Sequence, residues 1–169
     1  RAAHGGAGMS SRSGIGYDSH RFAEGRPLIL GGVEIPGAAR GLSGHSDADV
    51  LTHALIDALL GAAGLGDIGQ HFPDTDERYK DADSLALLAE VCGFLGDHGW
   101  SIVHLDASVI CDAPKLSPHR DEMRSKLAGV VGLQPLEVNV KFTTNEGLGF
   151  IGREEGMAAL AIATVERAG

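Results

Sequence analysis

The stretch Gly156-Met157-Ala158-Ala159-Leu160-Ala161-Ile162-Ala163-Thr164-Val165 decides the fold, because it admits two readings. Its alanines favour a helix. The same run also suits a buried strand, and periodicity does not separate the two. Ahead of it, beyond a Gly-rich segment, Leu136–Thr143 alternates cleanly, with Val138, Val140 and Phe142 set against Asn139 and Lys141. Further back, Ser101–Ile110 is a strand candidate. Ala113-Pro114-Lys115-Leu116 reads as a turn, after which Ser117 is expected to cap a helix with Pro118 at its first position.

Towards the amino terminus, Ser84–Leu95 reads as a helix ended by Gly96 and Gly99, and Gln70–Asp83 as a polar loop. Ser46, Asp47 and Asp49 open a helix that runs to about Leu60 and is broken by Gly61–Gly69. Its apolar stripe is Val50, Leu51, Ala54, Leu55, Ala58 and Leu59. Ile56 and Leu60 fall off that stripe, which leaves them either partly exposed or covered by a loop or a second chain. Gly37–Gly44 is a loop of small residues. Ile15–Phe22 and Pro27–Ile35 are extended, with a turn near Glu24–Arg26 and a turn or bulge at Gly31-Gly32. Strands interleaved with helices indicate an α/β or α+β sandwich.

A chain of 169 residues, 43% hydrophobic and 22% charged, suits one domain with a real core. Acidic residues outnumber Lys and Arg by 23 to 14, for a net charge of -9, which argues against binding nucleic acid or anionic membrane. An anionic substrate stays compatible, since a metal ion supplies local positive charge. No apolar run approaches the roughly 20 residues of a membrane span. Cys92 and Cys111 form no CxxC pair and read as buried thiols in a reducing, cytoplasmic setting. Arg1–Ser13, rich in Gly, Ala and Ser, lacks the apolar core of a secretory signal and is set aside as a flexible segment. Met9 is a candidate native start, with Arg1–Gly8 a non-native extension, and residues 14–169 form the single domain.

Asp18-Ser19-His20 places a carboxylate and an imidazole two residues apart in an extended run, hence on one face. His53, on the first helix, falls in line with Asp49 and Asp57, opposite Leu51, Leu55 and Leu59. One Asp and two His would leave a coordination position open on zinc, the pattern of a catalytic site. The other histidines (His4, His71, His98, His104 and His119) read as solvated or hydrogen-bonded side chains.

Six segments in order resemble the 2-C-methyl-D-erythritol 2,4-cyclodiphosphate synthase family. They are Gly16-Tyr17-Asp18-Ser19-His20-Arg21-Phe22, Gly44-His45-Ser46-Asp47-Ala48-Asp49-Val50 with His53, Gly66-Asp67-Ile68-Gly69, Phe72-Pro73-Asp74-Thr75-Asp76, Ala113-Pro114-Lys115, and Thr143-Thr144-Asn145-Glu146 running on to Phe150 and Arg153. The resemblance implies an α+β fold: a mixed sheet with helices on one face, whose sheets face inward in a homotrimer with active sites between subunits. It makes Gly156–Val165 a strand.

The family cyclises 4-diphosphocytidyl-2-C-methyl-D-erythritol 2-phosphate, in non-mevalonate isoprenoid precursor biosynthesis. The 2-phosphate attacks the β-phosphorus and CMP leaves. By resemblance, Asp18, His20 and His53 hold Zn2+, and Glu146 binds Mg2+ or Mn2+ with the diphosphate. His45 and Thr144 match the transition-state stabilisers. Asp18, Ser19, His20, His45 and Ser46 match substrate contacts, and Asp67, Ile68, Gly69, Phe72, Pro73, Asp74, Thr75 and Asp76 match segments that hold the methylerythritol. Cys111, Asp112, Ala113, Pro114, Lys115, Leu116, Ser117, Thr143 and Thr144 match the cytidine-phosphate pocket, and Asn145, Glu146, Phe150 and Arg153 further contacts. Asn145 stands where a third Thr is common, and Ser117 where an apolar residue can occur.

Two enzymatic rivals deserve weighing. Gly147-Leu148-Gly149-Phe150-Ile151-Gly152 matches GxGxxG, but too near the carboxyl end for a βαβ unit to follow. A zinc hydrolase fits the same ligands, with Asp47 or Asp49 as candidate base. A binding protein without turnover is the third class. The products formed from the diphosphocytidyl substrate discriminate among them.

Overall fold

The computed structural model describes residues 9–168. In chain order the elements are β1 (Met9–Ala23), β2 (Ile29–Leu30), β3 (Val33–Glu34), β4 (Gly41–Leu42), α1 (Val50–Ala63), α2 (Ile68–His71), α3 (Ser84–Asp97), β5 (Ser101–Ile110), α4 (Arg120–Val131), β6 (Val138–Thr143), α5 (Gly149–Gly152) and β7 (Gly156–Ala168). The main sheet has the order β4-β1-β7-β5-β6, and β2 and β3 form a separate hairpin. β7 runs antiparallel to both β1 and β5, whereas β5 and β6 are parallel, so the sheet is mixed. The ambiguous segment 156–165 is therefore a strand, and a central one.

The alanines that suggest a helix there have a packing reason. Ala159, Ala161 and Ala163 are buried, and they pair across the ladder with Asp18, Gly16 and Gly14 of β1. α1 packs on β1 and β7. A β-carbon on Gly16 would lie 1.9 Å from the Ala54 carbonyl oxygen, and one on Gly14 would lie 2.2 Å from that of Ala58. Glycine on one strand and alanine on the next let a helix lie almost against the backbone of the sheet. The alternate residues of the same two strands, Ile15, Tyr17, Leu160 and Ile162, point away from the helices and are exposed.

α1 begins at an Asp49 cap whose carboxylate accepts from the Thr52 amide at 3.0 Å and from the Gly31 and Gly32 amides. It runs through Gly61 and stops at Gly64, in the left-handed conformation, three residues beyond the expected break. α3 lies on its other side, and only Asp57 and Gly61 of α1 escape burial. Ile56 and Leu60 are fully buried within this chain, so neither exposure nor a second chain is needed to account for them.

Other boundaries differ from expectation. Residues 9–13, set aside with the amino-terminal segment, belong to β1 and pair with 164–168 of β7. Arg1–Gly8 and His4 lie outside the described residues. The 70–83 segment carries the end of α2 and a 3-10 turn at Glu77–Tyr79. Ser117 caps nothing: it lies inside a 3-10 turn, Ser117–His119, that leads into α4. Leu136 sits in a similar turn and is exposed, and the alternating strand starts at Val138. Cys111 is buried as expected, but Cys92 only half so. Among the described residues no helix is long and apolar enough to cross a membrane.

Candidate metal centre and adjoining pockets

Asp18 and His20 follow Gly14 and Gly16 on the helix-facing side of β1, where strand alternation puts every second residue. His53, one turn into α1, meets them there. His20 Nε2 is 2.9 Å from Asp18 Oδ2, His53 Nδ1 is 3.1 Å from the same oxygen, and the two ring nitrogens are 3.3 Å apart. His20 Nδ1 donates to the Ser43 carbonyl at 2.7 Å, which leaves Nε2 as the lone pair of the neutral ring. His53 Nε2 lies 2.9 Å from Ser84 Oγ and 3.2 Å from Ser46 Oγ, turning Nδ1 inward.

Burial pushes the Asp18 carboxyl up, but hydrogen bonds and charge from His20 and His53 outweigh it and hold the group at about 2. For His20, burial favours the neutral ring, and the Asp18 carboxylate overcomes this to raise its pKa. Three acceptors of this kind, all within 4.8 Å of one another, could hold a metal ion. When each neutral ring carries its hydrogen on the outer nitrogen, neither donates inward, and a cation relieves that mismatch.

The centre forms part of the wall of a hollow of about 440 Å³, a size ordinary for small-ligand sites. His45, Ser46, Ile68, Gly69, Phe72, Pro73 and Asp74 also line it. His45 Nε2 donates to the Asp76 carbonyl at 3.0 Å, tying the two loops together. Arg26 donates to the carbonyls of Gly44 and Ser46 and so braces His45 from behind. Ala48 adopts a positive φ of 59°, a strained conformation for a residue with a side chain, at the turn into α1. Asp67 caps α2, while Asp57 accepts from the Ile68 amide at 2.8 Å and orients that turn. Thr75 is exposed, and Asp76 is bonded to Arg78 at 2.6 Å.

A second hollow, of about 420 Å³, collects Cys111, Asp112, Pro114, Lys115, Leu116, Ser117, Thr143 and Thr144. Ala113, joined to Pro114 by a cis bond, borders a neighbouring depression. Burial pushes the Cys111 thiol up to about 11, and its Sγ donates to the Ala113 carbonyl, so it is no nucleophile. Asp112 accepts from the amides of Asn145 at 2.6 Å and Gly147 at 2.9 Å. Both its oxygens therefore shape the loop that carries Thr144 and Glu146. Within that loop Thr144 Oγ1 donates to Glu146 Oε1 at 2.9 Å, and Glu146 adopts a positive φ of 52°. Ser19 and Phe150 line a third depression beside His20, with Arg21 and Glu155, and Arg153 pairs with Glu155 at 2.8 Å.

Sequence reasoning missed several residues that shape these sites. Tyr79 and Leu87 complete the apolar floor of the first hollow. Arg120 stacks over Phe142 in the second. Leu87 and Phe142 carry an ordinary core signal in their periodic segments, and Arg26 reads only as a turn residue.

Comparisons with known proteins agree with this layout. The YgbB family model matches residues 11–166. A 2-C-methyl-D-erythritol 2,4-cyclodiphosphate synthase from Syntrophomonas wolfei is 56% identical over 157 residues, covering 93% of this chain and 99% of that protein. A bifunctional enzyme IspD/IspF from Anaeromyxobacter dehalogenans is 57% identical over 92% of this chain, which spans only 40% of that longer protein. A solved 2C-methyl-D-erythritol-2,4-cyclodiphosphate synthase in a CDP-bound form superposes with a TM-score of 0.83 at 40% identity, covering 91% of this chain and 99% of that one.

Proposed function

The chain belongs to the YgbB family of 2-C-methyl-D-erythritol 2,4-cyclodiphosphate synthases, and from that premise we propose that it cyclises 4-diphosphocytidyl-2-C-methyl-D-erythritol 2-phosphate with release of CMP. The observation that carries this reading is the convergence of Asp18, His20 and His53 on one point in the wall of a ligand-sized hollow. The reaction needs no protein nucleophile. It needs a flexible polyanion folded so that its 2-phosphate meets its β-phosphorus, and charge compensated as the bonds exchange.

Asp18, His20 and His53 suit Zn2+, and Glu146 suits Mg2+ or Mn2+ held jointly with the diphosphate. When bound, these ions supply Lewis acidity and charge neutralisation at the phosphate oxygens. His45, oriented by the Asp76 carbonyl, reaches the reacting phosphate through its other ring nitrogen, which donates when the ring carries both protons, and Thr144 donates to the same phosphate once Glu146 turns from it to the divalent ion. Ser46 contacts the erythritol phosphate beside them. Asp67–Gly69 and Phe72–Asp76 take the methylerythritol, its hydroxyls on polar groups and its methyl on the floor of Ile68, Phe72 and Tyr79. Residues 111–117 with Thr143 and Thr144 take the cytidine phosphate, with Lys115 as the local cation. Asn145, Ser19, Phe150 and Arg153 extend the contact surface.

The two principal hollows are separate within one chain, which supports sites completed between subunits. Ile15 pairs with Ile162 and Tyr17 with Leu160 on the helix-free face, at exposures of 67%, 49%, 56% and 41%. Four adjacent apolar side chains on a sheet face favour burial against other copies, and we assign that face to a homotrimer. Residues 9–168 serve as one synthase domain, and the acidic balance and reduced thiols fit a cytoplasmic enzyme that binds neither nucleic acid nor membrane.

The test is incubation with the diphosphocytidyl substrate, zinc and magnesium. Cyclic diphosphate and CMP in equal amounts are expected. Linear hydrolysis products would instead favour a zinc hydrolase, and binding without turnover a non-catalytic protein.

A further inference from the structure

Behind His53, away from the cation side, lies a short chain of polar groups that reaches the surface. Ser84 is fully buried at the start of α3, and its hydroxyl donates to Asp47 Oδ1. The same carboxylate accepts from the Ser84 amide at 3.0 Å and from the Asp49 amide at 3.1 Å. Asp47 is thus held by donors on both oxygens, and its charge commits the Ser84 proton. With that proton committed, Ser84 Oγ faces His53 Nε2 at 2.9 Å as an acceptor. The nitrogen must then carry the hydrogen.

We propose that Asp47 and Ser84 are positioning residues of the metal centre, fixing His53 as the Nε2–H tautomer so that Nδ1 keeps its lone pair for the ion. The inference rests on the metal reading above. Ser46 does not substitute for this link. Its oxygen is farther away, at 3.2 Å, and already accepts from the Ala48 amide at 3.2 Å. With the His53 Nε2 hydrogen committed to Ser84, the Ala48 amide is the donor to Ser46, whose own proton remains available to a phosphate in the hollow that it lines. One buried serine orients the ligand, and the other faces the substrate.

The polarity of the chain makes a distinctive prediction for Asp47→Asn. An amide at this position turns its NH2 either towards the Ser84 amide, which is itself a donor, or towards Ser84 Oγ. In the second arrangement the Ser84 proton loses its acceptor and is free to turn to His53 Nε2, which favours the ring hydrogen on Nδ1 and so competes with the metal. Outer partners of a histidine ligand commonly contribute about 10- to 100-fold to metal affinity.

The experiment measures zinc affinity by chelator competition for wild type, Ser84→Ala, Asp47→Asn and the double variant. Nitrogen-15 histidine spectra of the zinc-loaded proteins report the His53 Hε2 proton. We expect about 10- to 100-fold weaker zinc binding in each single variant and loss of the exchange-protected Hε2 signal in Ser84→Ala. The double variant should be no worse than the weaker single one, because both act through one link. Ser46→Ala should change zinc affinity less than Ser84→Ala. If wild type binds zinc tightly and the single variants match it, the positioning role is wrong while the metal site stands. If wild type fails to bind zinc, both readings fall. Additive losses with an unchanged Hε2 signal would point to general loosening and also overturn the proposal.

Discussion

His20 Nε2 and His53 Nδ1 lie 3.3 Å apart, one from a strand and one from a helix, and both contact Asp18 Oδ2. In metal-free protein the proton of a charged His20 lies in this space, and stability should follow it. His20 has a folded pKa above its ordinary 6.5, so its contribution is complete below that value and is lost as pH rises through the folded pKa. Asp18 is held at about 2 against an ordinary 3.8, so its contribution is present above 3.8 and disappears as pH falls towards 2. Thermal denaturation of stripped protein should show a melting temperature that falls on both sides. Zinc should abolish the alkaline fall, because the ion replaces the proton. A stripped protein with no loss at alkaline pH would contradict this account of the centre.

The contact between Gly16 and the Ala54 carbonyl sets how closely α1 approaches the sheet. Gly16→Ala forces a methyl group to within 1.9 Å of that oxygen and should destabilise the protein by about 3 kcal/mol or more. Gly61→Ala is the control. It lies in the helix interior, exposed, and its new carbon would come no nearer than 3.8 Å to Ile15. There the gain in helix propensity should stabilise by roughly 0.5–1 kcal/mol. Denaturant unfolding compares the two, and equal effects would refute the close-approach argument.

Asp112 is expected to act through the loop it holds. Asp112→Ala releases the amides of Asn145 and Gly147, and the displaced Thr144 and Glu146 should lower kcat by about 100-fold with little loss of melting temperature. Glu146→Gln should raise the magnesium concentration needed for half-maximal rate while zinc stays bound. Steady-state kinetics with metal analysis distinguishes the two, and an unchanged magnesium response in Glu146→Gln would remove that residue from the magnesium site.

The exposed apolar quartet should control assembly. Ile162→Asp places a charge beside Ile15, Tyr17 and Leu160, and sedimentation equilibrium should then show monomer for the variant and trimer for wild type. Activity should vanish with the trimer. A monomeric, fully active variant would show that one chain is sufficient for catalysis.

Much of the site was legible because its ligands belong to short, ordered patterns. Asp18 and His20 share a strand face through a two-residue period, and His53 departs from the apolar stripe of its helix. The strand 101–110 was equally plain, since its composition matched its environment. Less legible were features set by distant contacts. The Ser84 and Asp47 side chains, 37 residues apart, give no local sign of their partnership. Ile56 and Leu60 look unpaired in sequence, yet both are fully buried once the chain is folded. Ser117 resembles a cap, but the 3-10 turn draws it inside.

The order of chemical groups along the chain determined that one carboxylate and two imidazoles are offered at this centre, because ligand type and strand periodicity are local properties. Composition and periodicity left the alanine-rich run open and the family resemblance made it a strand, but tertiary structure decided that it is the central one. Alanine favours a helix in isolation, where only backbone and side-chain entropy count. Between β1 and β5, with α1 pressed almost against the backbone at Gly14 and Gly16, the small size of the alanines paired with those glycines outweighs that preference.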